Sequence, residues 1–169
     1  EHDRALRWAV RNRRAAAQKL LAWLGGASEP ELLMDSCHNY LERTKDGLLH
    51  RKGSVSASKG AVVIPGSRGS LTYVCIPRED TAVSLSSLSH GAGRKWARSI
   101  CKSRIDQKYD RDSIRCTGLK SRVVCHDTNL LFAEAPEAYK NVEQVMGVLQ
   151  EYGLIDIAAT LRPLITFKG

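Results

Sequence analysis

Apolar residues recur at helical spacing over residues 3–24. Leu6, Val10, Ala17, Leu20, Leu21 and Leu24 share one face, and Arg4, Arg7, Arg11 and Arg14 line the other. The pattern predicts an amphipathic helix that stops at Gly25-Gly26, with its arginines as a solvated face. Residues 31–58 predict two strands joined by a turn at Lys45-Asp46-Gly47. Ala-Val-Val-Ile at 61–64 and Leu-Thr-Tyr-Val-Cys-Ile at 71–76 predict two more short strands. Between them lies a glycine-rich loop, Pro65-Gly66-Ser67-Arg68-Gly69-Ser70. Further along, the chain predicts a helix over 92–106, a strand over 119–126 and a helix over 141–152. An apolar strand is expected within 153–168, finishing in Ile165-Thr166-Phe167-Lys168-Gly169. No internal repeat, low-complexity tract or obvious linker interrupts this order. The mixture predicts an α+β fold with mixed and antiparallel strands and flanking helices, rather than βαβ repetition.

Composition narrows the function classes. The 169 residues suit one domain or part of a larger one, and 43% hydrophobic content is enough for a core. No run of about 18 apolar residues occurs, so no membrane-spanning helix is predicted, and no signal peptide is visible. A net charge of +8 favours polyanionic partners such as nucleic acid, nucleotides or an anionic surface. Five cysteines without a Cys-x-x-Cys pair argue against a disulfide framework and a zinc ribbon, and point to a reducing cytoplasm. The chain starts at Glu1, without methionine, and enters a helical pattern at once, which suggests processing or a piece of something longer.

Three segments carry candidate chemistry. Cys37-His38-Asn39 lies in or beside a strand, and Arg51-Lys52-Gly53 ends in a glycine that lets backbone approach a ligand. The glycine-rich loop offers backbone N–H groups and the hydroxyls of Ser67, Ser70 and Thr72. His90 then precedes Gly91-Ala92-Gly93. If that turn opens a helix, Arg94 and Arg98 lie one turn apart on one face, beside backbone N–H groups that attract anions. Each piece alone has an ordinary structural reading, because single histidines are commonly hydrogen-bonded framework and glycines mark ordinary turns. Other classes fail on pattern: there is no P-loop, no Gly-x-Ser-x-Gly elbow, no dinucleotide-binding glycine fingerprint and no zinc spacing.

Taken in order, the segments resemble the RtcB family of RNA ligases. The matching runs are Cys37-His38-Asn39-Tyr40, His50-Arg51-Lys52-Gly53, Ile64-Pro65-Gly66-Ser67-x-Gly69, Ser89-His90-Gly91-Ala92-Gly93-Arg94, Ala138-Tyr139-Lys140-Asn141-Val142 and Lys168-Gly169. The branch that looks most similar is the release factor H-coupled one. The resemblance implies joining of RNA 2′,3′-cyclic phosphate or 3′-phosphate ends to 5′-hydroxyl ends, in RNA repair or tRNA splicing, with GTP and manganese (Mn2+). By motif, His90 would be the guanylylated nucleophile and His38 a manganese ligand. Asn39, Lys52, Arg94 and Arg98 would hold phosphates of GTP or of the RNA end, arginine suiting phosphate through its planar fork. Ser67, Thr72, Gly91, Ala92, Gly93, Tyr139 and Lys168 would surround the nucleotide. Two positions depart from the family pattern. Thr72 replaces a serine and keeps the hydroxyl. Arg68 stands where an apolar residue is expected, and the reading is that it points to solvent.

The resemblance covers the C-terminal half of the family's chain. It implies that residues 1–169 are the C-terminal portion of a single catalytic domain, and that most metal ligands lie in an N-terminal portion absent here. His38 alone cannot hold two manganese ions. The expectation is therefore an incomplete catalytic unit, with the other half possible on another chain. The alternatives are a non-catalytic basic fragment that binds RNA or nucleotide, and a structural remnant whose former interface is exposed.

Overall fold

The computed structural model describes residues 1–26 and 31–168, so Gly169 of the last motif lies outside the described residues. The chain forms two compact units, Glu1–Val55 and Ser56–Gly169.

The first unit opens with helix α1 (His2–Trp23), none of whose residues is buried. Trp8, Leu20 and Trp23 are exposed along it. Arg13 grips Asp35 with two parallel bonds of 2.8 and 2.9 Å, which ties the following segment back to the helix. Strands β1 (Asn39–Thr44) and β2 (Gly47–Lys52) then form an antiparallel hairpin, paired from Asn39↔Lys52 to Thr44↔Gly47. The turn falls where Lys45-Asp46-Gly47 predicts it. Gly47 takes φ +134°, which glycine alone adopts without strain. Arg51 is buried in the hairpin, with Nη2 2.9 Å from Glu42 Oε2. Strand β3 (Ser54–Ser56) runs across the boundary into the second unit.

The second unit holds a three-stranded antiparallel sheet with β5 (Thr72–Pro77) between β4 (Val62–Pro65) and β8 (Ile155–Leu161). Val62, Ile64, Tyr73, Cys75 and Ile155 are its buried apolar positions. Strand β6 (Ser87–Ser89) precedes the His90 turn. Strand β7 (Arg122–Cys125) pairs in parallel with β9 (Ile165–Lys168), with Cys125 opposite Lys168. The single C-terminal strand expected from the sequence is thus two. Pro163 has no N–H to continue a ladder, so β8 ends at Leu161 and the chain crosses to β7, where Arg122 N donates to Leu164 O at 3.0 Å.

Helices α2 (Arg98–Ile105) and α3 (Thr128–Ala133) pack on a core of Ile105, Ile114, Val123, Cys125, Leu131, Phe132 and Ala135. Helix α4 (Val142–Glu151) buries Val142, Met146 and Leu149. Asn141 caps it, accepting from Glu143 N at 2.7 Å and Gln144 N at 3.2 Å. Asn141→Ala is expected to cost about 1 kcal/mol, read as a lowered thermal midpoint. No helix among the described residues is long and apolar enough to cross a membrane.

The helix expected over 92–106 begins only at Arg98. Residues 93–96 instead run beside residues 138–140. Lys95 N donates to Ala138 O at 2.9 Å, Lys140 N donates to Gly93 O at 2.9 Å, and Arg94 is bridged antiparallel to Tyr139. Gly93 takes φ +73°, which ends any helix at that point. The spacing of Arg94 and Arg98 is therefore not a helix-face spacing.

Candidate functional site

The sequence candidates divide between the units. His38, Asn39 and Lys52 sit together at the open end of the hairpin in the first unit. Asn39 faces Lys52 in register, and Gly53 N donates to His38 O at 2.8 Å. Asn39 Oδ1 lies 3.3 Å from His50 Nε2. His38, Asn39 and Lys52 are all exposed. Among the described residues no three His, Cys, Asp or Glu side chains gather where a metal ion could bind. His38 can offer one imidazole, so the manganese set that the resemblance implies is not complete within them.

The second unit brings the remaining candidates close together. A cavity of about 250 Å³ is lined by Gly66, Ser67, Arg68, Thr72, Glu134, Tyr139, Pro163, Thr166 and Lys168. Ser67, Thr72, Tyr139 and Lys168, which the sequence proposes around a nucleotide, meet here from three distant stretches. The glycine loop is built for close approach. Gly66 N donates to Leu71 O at 3.1 Å, Ser67 Oγ and Ser70 Oγ lie 2.8 Å apart, and Gly69 N donates to Ser67 Oγ at 3.2 Å. The turn after His90 is clamped to the same loop, because Ala92 N donates to Pro65 O at 3.1 Å. Gly91 permits this, since a Cβ there would lie 3.0 Å from Pro65 O. His90, Gly91, Ala92 and Gly93 are thereby held at the start of the glycine loop.

The expectation that Arg68 points to solvent is overturned. Its side chain is buried, and Nη2 donates to Ile114 O at 3.1 Å while Nε and Nη1 have no hydrogen-bond partner among the described residues. The loop is pressed onto the body at both flanking glycines, Gly66 against Val142 and Gly69 against Pro136. The side chain between them enters the interior. Burial pushes the guanidinium below its ordinary value, with the Glu137 carboxylate opposing this. Two buried donors left unmade are costly. Arg68→Met is expected to raise stability by about 1–3 kcal/mol. Calorimetric unfolding would show it, and a lower midpoint would mean that the bond to Ile114 O outweighs the burial cost.

One residue was missed by sequence reasoning. Glu134 sits at the C-terminal end of α3, with its side chain 7% exposed in the cavity wall. Oε1 accepts from Arg94 Nη1 at 3.2 Å and Arg98 Nε at 3.1 Å. Oε2 accepts from the Tyr139 hydroxyl and lies 3.6 Å from Lys168 Nζ. Burial raises the carboxyl's affinity for a proton, but the Tyr139 hydroxyl, Arg98 and the charges of Lys168 and Arg94 outweigh it. Glu134 therefore stays ionised below the ordinary carboxylate range. Burial, and then that carboxylate, push the Tyr139 phenol up. A carboxylate without a spacing motif gives no signal in the sequence. Its partners, two arginines and a lysine that need a counter-charge, are the only pointer.

The chain is similar to known proteins along its whole length. The family model RtcB, described as tRNA-splicing ligase RtcB, matches residues 1–169. RNA-splicing ligase RtcB2 of Escherichia coli is 41% identical over 173 aligned residues, which cover 100% of this chain and 45% of the relative. The tRNA-splicing ligases RtcB of Pyrococcus furiosus and Archaeoglobus fulgidus are each 31% identical over 82% of this chain, covering 16% and 33% of their own lengths. The chain thus spans less than half the length of these curated relatives. With the motifs in order, the cavity they line, and a family match along the full chain, this protein belongs to the RtcB family.

Proposed function

We propose that this chain carries the nucleotide- and RNA-end-binding part of a GTP- and manganese-dependent RNA ligase. The observation that supports this best is the convergence on one basic-walled cavity of Ser67, Thr72, Tyr139 and Lys168. The clamped His90 turn lies at the mouth of the same loop. A tyrosine ring can stack a base, hydroxyls can meet a sugar, and lysine or arginine can meet phosphate.

In this reading a His90 ring nitrogen attacks the α-phosphorus of GTP. A P–N bond forms, the P–O bond to the β-phosphate breaks, and pyrophosphate leaves. An oxygen of the RNA 3′-phosphate then attacks the same phosphorus, the P–N bond breaks, and GMP passes to the RNA end. The 5′-hydroxyl of the second RNA attacks the RNA phosphorus, a phosphodiester forms, and GMP departs. In the second unit Arg98 meets phosphate; in the hairpin of the first unit Asn39 and Lys52 are phosphate contacts in their own right, and His38 gives one ligand to manganese. The other metal ligands must come from polypeptide outside the described residues, so no step here is assigned to the metal.

The test is incubation with manganese and GTP labelled on the α-phosphate, with and without the polypeptide that supplies the rest of the RtcB fold. An acid-labile, alkali-stable label on this chain supports the ligase reading. Absence of label in both cases, with GMP still bound, would favour a binding fragment without catalysis.

A further inference from the structure

We infer that Glu134 is the positioning residue of this cavity, and that through it the two arginines take different jobs: Arg94 is framework, and Arg98 is left to meet phosphate. The inference rests on the nucleotide reading above and deepens it. Spacing in the sequence makes the arginines look equivalent, but their donors are used very differently.

A guanidinium has five N–H groups, and Arg94 has five acceptors. Nε donates to Trp96 O at 3.2 Å. Nη1 donates to Glu134 Oε1 at 3.2 Å and to the Tyr139 hydroxyl oxygen at 3.1 Å. Nη2 donates to Ala133 O at 2.6 Å and to Cys101 Sγ at 3.3 Å. Arg94 can reach a ligand only by giving up bonds that hold α2, the end of α3 and the segment around Tyr139 together. The Arg98 side chain is 69% exposed, and its Nε alone is engaged, on Glu134. Both of its Nη groups have no partner among the described residues.

Glu134 is where these roles are set. One carboxylate oxygen is shared by both arginines, and the other holds the Tyr139 hydroxyl beside Lys168. It therefore anchors the exposed Arg98 fork as well as the Tyr139 ring and Lys168 of the cavity wall. One carboxylate among three cations leaves the cluster net positive, so an anion is still attracted. Simple Coulomb reasoning says that removing a negative charge beside a phosphate site strengthens anion binding. Positioning says the opposite, because Arg98 and Lys168 lose their shared anchor and return to solvent.

The experiment compares wild type, Glu134→Gln, Tyr139→Phe and a distant carboxylate control, Asp156→Asn. GMP affinity is measured by titration calorimetry, and the arginine Nε–H signals by ¹⁵N spectra. Glu134→Gln is expected to weaken GMP by at least about tenfold and to erase the slowed Arg98 Nε–H signal. Tyr139→Phe, which keeps the ring but frees Oε2, is expected to weaken GMP in the same direction and serves if Glu134→Gln fails to fold. Asp156→Asn should change neither readout. Unchanged or tighter GMP binding by Glu134→Gln would overturn the inference. If wild type binds no GMP, the nucleotide reading falls. The Arg98 signal then decides alone: its loss in Glu134→Gln upholds positioning, and its persistence refutes it.

Discussion

His90→Ala is expected to abolish covalent GMP transfer to this chain while leaving it folded. The turn after His90 offers Gly91, Ala92 and Gly93, and the loop it is clamped to offers hydroxyls but no second imidazole. A serine could trap phosphorus only with a base to activate it. The expected loss is on the order of 10³-fold or more, down to background. Two contacts that hold the turn do not involve the imidazole, Ala92 N to Pro65 O and Ser89 Oγ to Gly91 O at 2.7 Å, so the fold is expected to survive. The measurement is labelled adduct per molecule, with circular dichroism on the same samples, under the conditions of the labelling test proposed above. Full labelling of the variant would remove His90 from the mechanism. An unfolded variant would show that the imidazole is framework.

The second large effect is expected at Gly66. A methyl group there would lie 2.5 Å from Leu71 O and 2.7 Å from Ser70 Cβ, with Val142 Cγ1 at 3.1 Å behind it. The two nearest atoms belong to the loop itself, and one is backbone, so relief means opening the turn that Gly66 N closes on Leu71 O. Gly66→Ala is expected to cost about 1–3 kcal/mol through overpacking and to displace Ser67 from the cavity. GMP affinity should fall by more than the stability loss alone explains. Gly147→Ala is the matched control. It lies mid-helix in α4 with nothing within 4 Å of the new methyl, and should stabilise by about 1 kcal/mol. Thermal unfolding of both variants, with and without GMP, separates crowding from a general effect of replacing glycine.

Much of the fold could be read locally. Turn chemistry at Lys45-Asp46-Gly47 and punctuation by Pro65 and Gly66 placed β1, β2, β4 and β5. The Asn141 cap placed α4. What escaped was decided at long range. Residues 93–96 carry helical spacing, yet their backbone groups are spent on Ala138 and Gly93 takes positive φ. No local window contains residue 138. Arg68 looked exposed because charge usually is, and only the loop's packing against Val142 and Pro136 turns it inward. The resemblance named the pocket's visible members, Ser67, Thr72, Tyr139 and Lys168. It did not name Glu134, whose partners lie up to 40 residues away or on another strand.

The cavity takes its walls from the loop after β4, the stretch after α3 and the strand that ends at Lys168. No local segment contains enough of it to bind anything. Such a site forms only when pairings of high sequence separation have closed, which is the slow part of folding. A nucleotide held there would count fully folded molecules and ignore partly folded ones. By mass action it would raise the melting temperature in proportion to the logarithm of its concentration. A nucleotide that binds there would thus report completion of the fold rather than its beginnings.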